Sequence, residues 1–130
     1  MPSIFSKIIA GEIPSYKIAE NDKFFAFLDI NPMAKGHTLV IPKLEIDYLF
    51  DIDDALLAEM AVFAKQVAIA IKKAIPCNRI SMMVLGLEVP HAHIHLVPMN
   101  KESDMILSNP KLKLEQSEFN EIATKIREQL

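Results

Sequence analysis

The chain predicts an α+β fold built on an antiparallel sheet. Five short apolar or β-branched runs accompany only one long amphipathic stretch, the mixture expected of segregated strands and helices. Two of those runs, Ile80 to Leu85 and His91 to Pro98, are separated by a connection too short for a parallel crossover, so they pair antiparallel. The length of 130 residues suits one domain spanning residues 1–130.

The elements follow in order. Ser3 to Ile9 reads as a short helix, with Ser3 as its cap and Gly11 just past its end. Pro14 forces an exit. Ser15 to Glu20 and Phe24 to Asp29 read as two strands joined by a polar turn at Asn21-Asp22. Asn31-Pro32 marks a break, and Thr38 to Ile41 is a strand closed by Pro42. Asp53 to Ile75 is the long helix: Leu56, Met60, Phe63, Val67 and Ile71 recur at helical spacing. Asp51, Asp53 and Asp54 suit its positive end, and Lys72 and Lys73 its negative end. Pro76 stops it. Strands at Ile80 to Leu85 and His91 to Pro98 follow. Residues 100–115 carry no clear pattern. A last helix is expected from a Ser117 cap, with Phe119, Ile122, Ala123, Ile126 and Leu130 on its apolar face.

Composition narrows the function classes. Hydrophobic residues make up 51% and charged residues 24%, as in a globular protein. A net charge of −3 argues against bulk nucleic-acid binding, which needs basic patches, but leaves small phosphate ligands open. The single cysteine, Cys77, has no internal disulfide partner, which points to a reducing, cytoplasmic location. The N-terminus does not read as a signal peptide. No apolar run approaches the ~20 residues of a membrane helix, so no membrane association is expected.

Chemistry concentrates in one heptapeptide, His91-Ala92-His93-Ile94-His95-Leu96-Val97, which holds three of the four histidines. On a strand, alternate side chains share a face. The three imidazoles would then line one surface while Ala92, Ile94 and Leu96 face a core. Imidazole titrates nearest neutrality, so such a row suits acid–base, nucleophilic or metal chemistry. A zinc site would require ligands at the ~6.5–7 Å spacing of same-face strand neighbours, with His37 or Glu88 added. The chain lacks cysteine pairs and a helical His-Glu-x-x-His motif, so no metal or other cofactor is expected. A neutral imidazole with one nitrogen held protonated is a competent nucleophile toward phosphorus, and its neighbours would supply donors to phosphate oxygens.

The heptapeptide matches the His-φ-His-φ-His-φ-φ pattern, φ being apolar, of the histidine triad (HIT) family. Ile4-Phe5-Ser6-Lys7-Ile8-Ile9 with Glu12-Ile13-Pro14 resembles the family's N-terminal signature. Phe25 to Pro32 and Gly36 to Lys43 resemble its central block. The resemblance spans about residues 3–98. It implies a HIT-like fold: a five-stranded antiparallel sheet with one long helix and short N- and C-terminal helices. It also implies hydrolysis at the α-phosphate of a nucleoside monophosphate conjugate, of the adenosine phosphoramidate type. His93 would be the nucleophile of a nucleotidyl-histidine intermediate, with its other N–H held by the His91 carbonyl. His95 would contact the phosphate and His37 would support the row from behind. Asp29 would bind ribose hydroxyls, and Ile4, Phe5, Phe27 and Ile30 would flank a purine. The expected partners are a purine nucleotide and a second copy of the chain, the two sheets joined into one.

The chain departs from the family pattern upstream of the triad. Gly86-Leu87-Glu88-Val89-Pro90 stands where many members read Gly-Gln-x-Val, and Glu88 would repel phosphate, hold a loop or engage a cationic leaving group such as a lysine amine. The usual Asn-x-Gly loop is missing, and Met99 stands where Arg is common. Three other readings stay open: a dinucleoside polyphosphate hydrolase, which shares the triad; a nucleotide-binding protein with little turnover, which Leu87 and Glu88 motivate; and a zinc-binding protein.

Overall fold

In the computed structural model, which describes residues 2–130, one antiparallel sheet organises the chain. Helix α1 (Ile4–Ile9) leads into β1 (Lys17–Glu20), β2 (Phe24–Leu28) and β3 (Thr38–Pro42). Helix α2 (Asp54–Ala74) precedes β4 (Arg79–Met83) and β5 (Ile94–Met99), and α3 (Gln116–Arg127) closes the chain. The strands lie in the order β1-β2-β3-β5-β4, so β1 and β4 are the edges. The expected α+β class and five-stranded antiparallel sheet are observed.

Both faces of the central strands are covered. Every residue of β2 and β3 is buried. Phe24, Ala26, Leu28, Val40, Ile94 and Leu96 meet the apolar stripe of α2 and the buried face of α3. Each fully buried Met, Phe, Val or Ile of that stripe contributes about 1.5–3 kcal/mol relative to leaving it in water. On the other face, Phe25, Phe27, Leu39 and Ile41 gather around Phe5 of α1. The side-chain alternation of β2 thus feeds two separate clusters.

Three expectations need correction. The histidine strand starts at Ile94, not His91, and the strand before it ends at Met83, not Leu85. Residues 84–93 leave the ladder because Gly86 turns at φ +74°, Pro90 has no N–H, and the next donors look elsewhere. The His91 N–H goes to the Val89 carbonyl and the Ala92 N–H to the Ile46 carbonyl. At the last helix the cap is Glu115 rather than Ser117. Glu118 reaches back to accept the Glu115 N–H at 3.3 Å, which starts the helix earlier. Residues 100–115 hold a single 3-10 turn, Glu102–Met105, and the Leu112 N–H ties the segment to the Pro32 carbonyl at 2.9 Å.

Candidate active site

Three local devices deliver the histidines. His95 sits on β5, opposite Leu39 of β3 and Met83 of β4. His93 lies on the irregular approach to that strand. His37 enters β3 through Gly36, whose φ of +94° a side chain rarely adopts. A Cβ there would also sit 3.0 Å from Ile75, so the close approach itself requires glycine. The loop behind His37 closes on Asp29, whose N–H donates to the His37 carbonyl at 2.9 Å.

The triad does not line one surface as a flat row. His91 is fully buried and its ring turns inward, because it lies before the strand and finds two partners in the interior. Its Nε2 meets the Pro42 carbonyl at 2.8 Å, and its Nδ1 meets the Ser3 hydroxyl at 2.7 Å. His93 and His95 stay adjacent, with ring centroids 5.0 Å apart.

Hydrogen-bond partners determine where each proton sits. His93 Nδ1 lies 2.7 Å from the His91 carbonyl, which only accepts, so Nδ1 carries the proton and Nε2 keeps its lone pair. The Met33 N–H donates to His37 Nδ1 at 3.0 Å, so neutral His37 carries its proton on Nε2. That Nε2 lies 2.9 Å from His95 Nδ1, which therefore accepts and leaves His95 with its proton on Nε2. The result is an imidazole lone pair on His93 beside an imidazole N–H donor on His95.

Electrostatics agree with this assignment. Burial, reinforced by the Lys111 cation, pushes His37 down to about 4. Burial, with the neighbouring imidazoles of His37 and His93 acting in the same sense and Asp29 opposing, likewise pushes His95 down to about 4. Burial also lowers His91. Asp29, half-buried, is raised by burial although the Asn31 N–H donates to it at 2.8 Å. Its Oδ2 stands 3.6 Å from His37 Nε2.

Asp29, His37 and His95 place three potential ligand atoms within 4.8 Å of one another, the arrangement a metal ion would need. The proton directions oppose that use. A metal on His37 Nε2 would require the proton on Nδ1, where the Met33 N–H already donates. Met33, His37 and His95 instead form a hydrogen-bonded relay, with the Asp29 carboxylate beside it.

The remaining expected residues divide. Phe5 and Phe27 are buried, 5.5 Å apart edge to face, and Phe5 also packs edge-on against His93 at 5.1 Å. Ile4 and Ile30 are exposed on the surface, 49% and 66% respectively, and so remain open to a ligand. Glu88 is exposed on the 84–93 segment and forms no hydrogen bond or ion pair with the imidazoles among the described residues. A cavity of about 260 Å³ opens beside His93, lined by Tyr48, Phe50, Val84 and Leu85. A larger groove of about 630 Å³ between the β1–β2 turn and α2 holds none of the histidines.

Sequence reasoning took Ser3 only for a helix cap and did not single out Glu45 or the Pro42 carbonyl. Ser3 does cap α1, accepting the Ser6 N–H at 3.0 Å. Its pairing with His91 spans 88 positions, and no local pattern marks it.

Comparison with known proteins places this geometry. Residues 10–102 match the model of the HIT domain. An uncharacterised HIT-like protein of Borreliella burgdorferi is 38% identical over 95% of this chain and 94% of its own length. Adenosine 5′-monophosphoramidase of Saccharomyces cerevisiae is 38% identical over 80% of this chain and 66% of its own length. A crystal structure of a HIT-like protein from Bartonella henselae superposes with a TM-score of 0.85 at 36% identity, covering 98% of this chain and 96% of the other.

Proposed function

This chain belongs to the HIT family, and we propose that it hydrolyses nucleoside monophosphate conjugates at the α-phosphate, with an adenosine phosphoramidate as the substrate type. The observation that carries the reading is the His93 tautomer: the His91 carbonyl holds the proton on Nδ1 and leaves Nε2 as a lone pair. In the first step Nε2 attacks the α-phosphorus, a P–Nε2 bond forms, and the P–N bond to the amine breaks. The amine leaves with a proton drawn from the site or solvent. Water then attacks the same phosphorus, the P–Nε2 bond breaks, and AMP departs with His93 restored. The His95 Nε2–H donates to a phosphate oxygen as charge builds there, and His37 holds His95 in that tautomer.

The binding roles follow from position. Asp29 accepts ribose hydroxyls, and exposed Ile4 and Ile30, with the buried Phe5 and Phe27, offer apolar surface to a purine. The cavity beside His93 receives the leaving group. Two copies pair through the β4 edges, where Met82 is 55% exposed, making one continuous sheet. The yeast relative's activity as an adenosine monophosphoramidase favours the amine over a nucleotide as leaving group.

The test is AMP release from adenosine 5′-phosphoramidate, run beside diadenosine tetraphosphate, with wild type and His93→Ala. Release by wild type alone, faster from the phosphoramidate, is expected. Faster release from the dinucleotide would move the assignment to a polyphosphate hydrolase. Release by His93→Ala at the wild-type rate would remove the nucleophile.

A further inference from the structure

The His91 carbonyl that orients His93 is not held by the sheet, because residues 84–93 lie outside the ladder. Its peptide is pinned on the other side by the Ala92 N–H, which donates to the Ile46 carbonyl at 2.7 Å, and a second anchor is the His91 imidazole, gripped at both nitrogens. The Nε2 end faces a carbonyl, so Nε2 carries the proton and Nδ1 must accept. The Ser3 hydroxyl at 2.7 Å is its partner there.

Ser6 Oγ also lies within reach of the Ser3 hydroxyl, but at 3.4 Å against 2.7 Å the bond to His91 is the closer one. Glu45 accepts the Ser3 N–H and the Ser6 hydroxyl, each at 2.6 Å. The Ser6 hydroxyl proton is thus directed to Glu45, while the Ser6 N–H donates into Ser3 Oγ at 3.0 Å. The Ser3 N–H, and after it the Ser6 hydroxyl, hold Glu45 down to about 2, so it remains an acceptor throughout the neutral range. The hydrogen bonds from α1 and from the nucleophile converge on His91. The Ser6 N–H donates to Ser3 and the Ser3 hydroxyl to the His91 ring, while from the other side the His93 Nδ1–H donates to the His91 carbonyl.

We propose that Ser3 is a positioning residue for His93: its buried hydroxyl holds the His91 ring in the orientation the Pro42 carbonyl selects, and through it the carbonyl that keeps the His93 Nε2 lone pair facing outward. The catalytic part of this assignment rests on His93 being the nucleophile; the tautomer part does not. Ser3 touches no substrate in this account.

The experiment pairs kinetics with ¹⁵N-histidine NMR of wild type, Ser3→Ala, Ser3→Gly and Ser3→Thr. Glycine removes the hydroxyl but is itself a favoured N-cap, so it serves if the alanine variant fails to fold. Wild type is expected to show His91 protonated on Nε2 and His93 on Nδ1. Alanine and glycine are expected to mix the His93 tautomers and to lower kcat on adenosine 5′-phosphoramidate by about 10–100-fold with KM little changed, as misplacement of a reacting group does. Threonine, which keeps both cap and donor, is expected to restore kcat and tautomer. Unchanged His93 tautomer and kcat in the glycine variant would overturn the proposal, as would threonine as impaired as glycine. If wild type released no AMP, the hydrolase reading would fail alone, and the tautomer of His93 in the variants would still decide the role of Ser3.

Discussion

The face of the sheet against α2 and α3 is apolar apart from Thr38, whose hydroxyl returns to the Gly36 carbonyl. The opposite face shares the same strands but carries His37, His93 and His95 beside Phe25, Phe27, Leu39 and Ile41. On the first face, burial is the organising force and direction matters little. On the second, every imidazole nitrogen with a partner has one proton assignment, set by a specific carbonyl, hydroxyl or N–H. Strand alternation lets one sheet do both, so stability and chemistry separate by face rather than by region of sequence.

The sharpest way to break this comparison is to mutate one residue on each face. His93→Ala is expected to lose about 10³-fold or more in kcat with its urea midpoint nearly unchanged, the pattern of a reacting group removed. Met60→Ala, at a fully buried position of α2, is expected to lose about 2–5 kcal/mol of stability while keeping kcat per folded molecule. Equal effects of both changes on both quantities would dissolve the separation. Next in size, His37→Phe removes the donor that sets His95, and kcat should fall about 100-fold, read in initial rates. A full rate would show that the His95 tautomer is held by something else.

Smaller effects sharpen the account. Asp29→Ala should weaken AMP binding about tenfold in calorimetry, with 2′-deoxy-AMP losing less. Equal losses would remove the ribose assignment. The pH dependence of stability has a defined sign. His37 and His95 titrate at about 4 in the folded chain, against an ordinary 6.5. Between those values the unfolded chain binds protons the folded one refuses, so stability falls as pH drops from about 6.5 to about 4 and is flat above. The raised Asp29 acts in the opposite sense and trims the slope. Urea midpoints at pH 7 and 4.5 would read this, and an unchanged midpoint would contradict the buried neutral pair.

Much of this was legible in the chain. The spacing of Met60, Phe63, Val67 and Ile71 located α2, because a 3.6-residue period needs no tertiary information. The alternation of Ala92, Ile94 and Leu96 against the histidines correctly separated core side chains from the chemistry, since all three join the core. What failed was long-range. His91 looked like a third member of a row, and only the folded chain brings Ser3 and Pro42 to it from 88 and 49 positions away. Ser117 looked like a cap because its residue type favours caps, but Glu118 reaching back to Glu115 competes and wins. The strand limits near His91 and Leu85 shifted because Pro90 and Gly86 redirect donors that periodicity alone cannot see.

The central claim is that chemistry on the histidine face passes through a covalent bond to His93. Stereochemistry at phosphorus tests it most directly, using adenosine phosphoramidate made chiral at the α-phosphorus with oxygen isotopes and hydrolysed by wild type. Two successive in-line displacements, one by His93 and one by water, predict AMP with retained configuration. Inverted AMP would mean that water attacks in a single step, and the account of His93 as nucleophile would be contradicted.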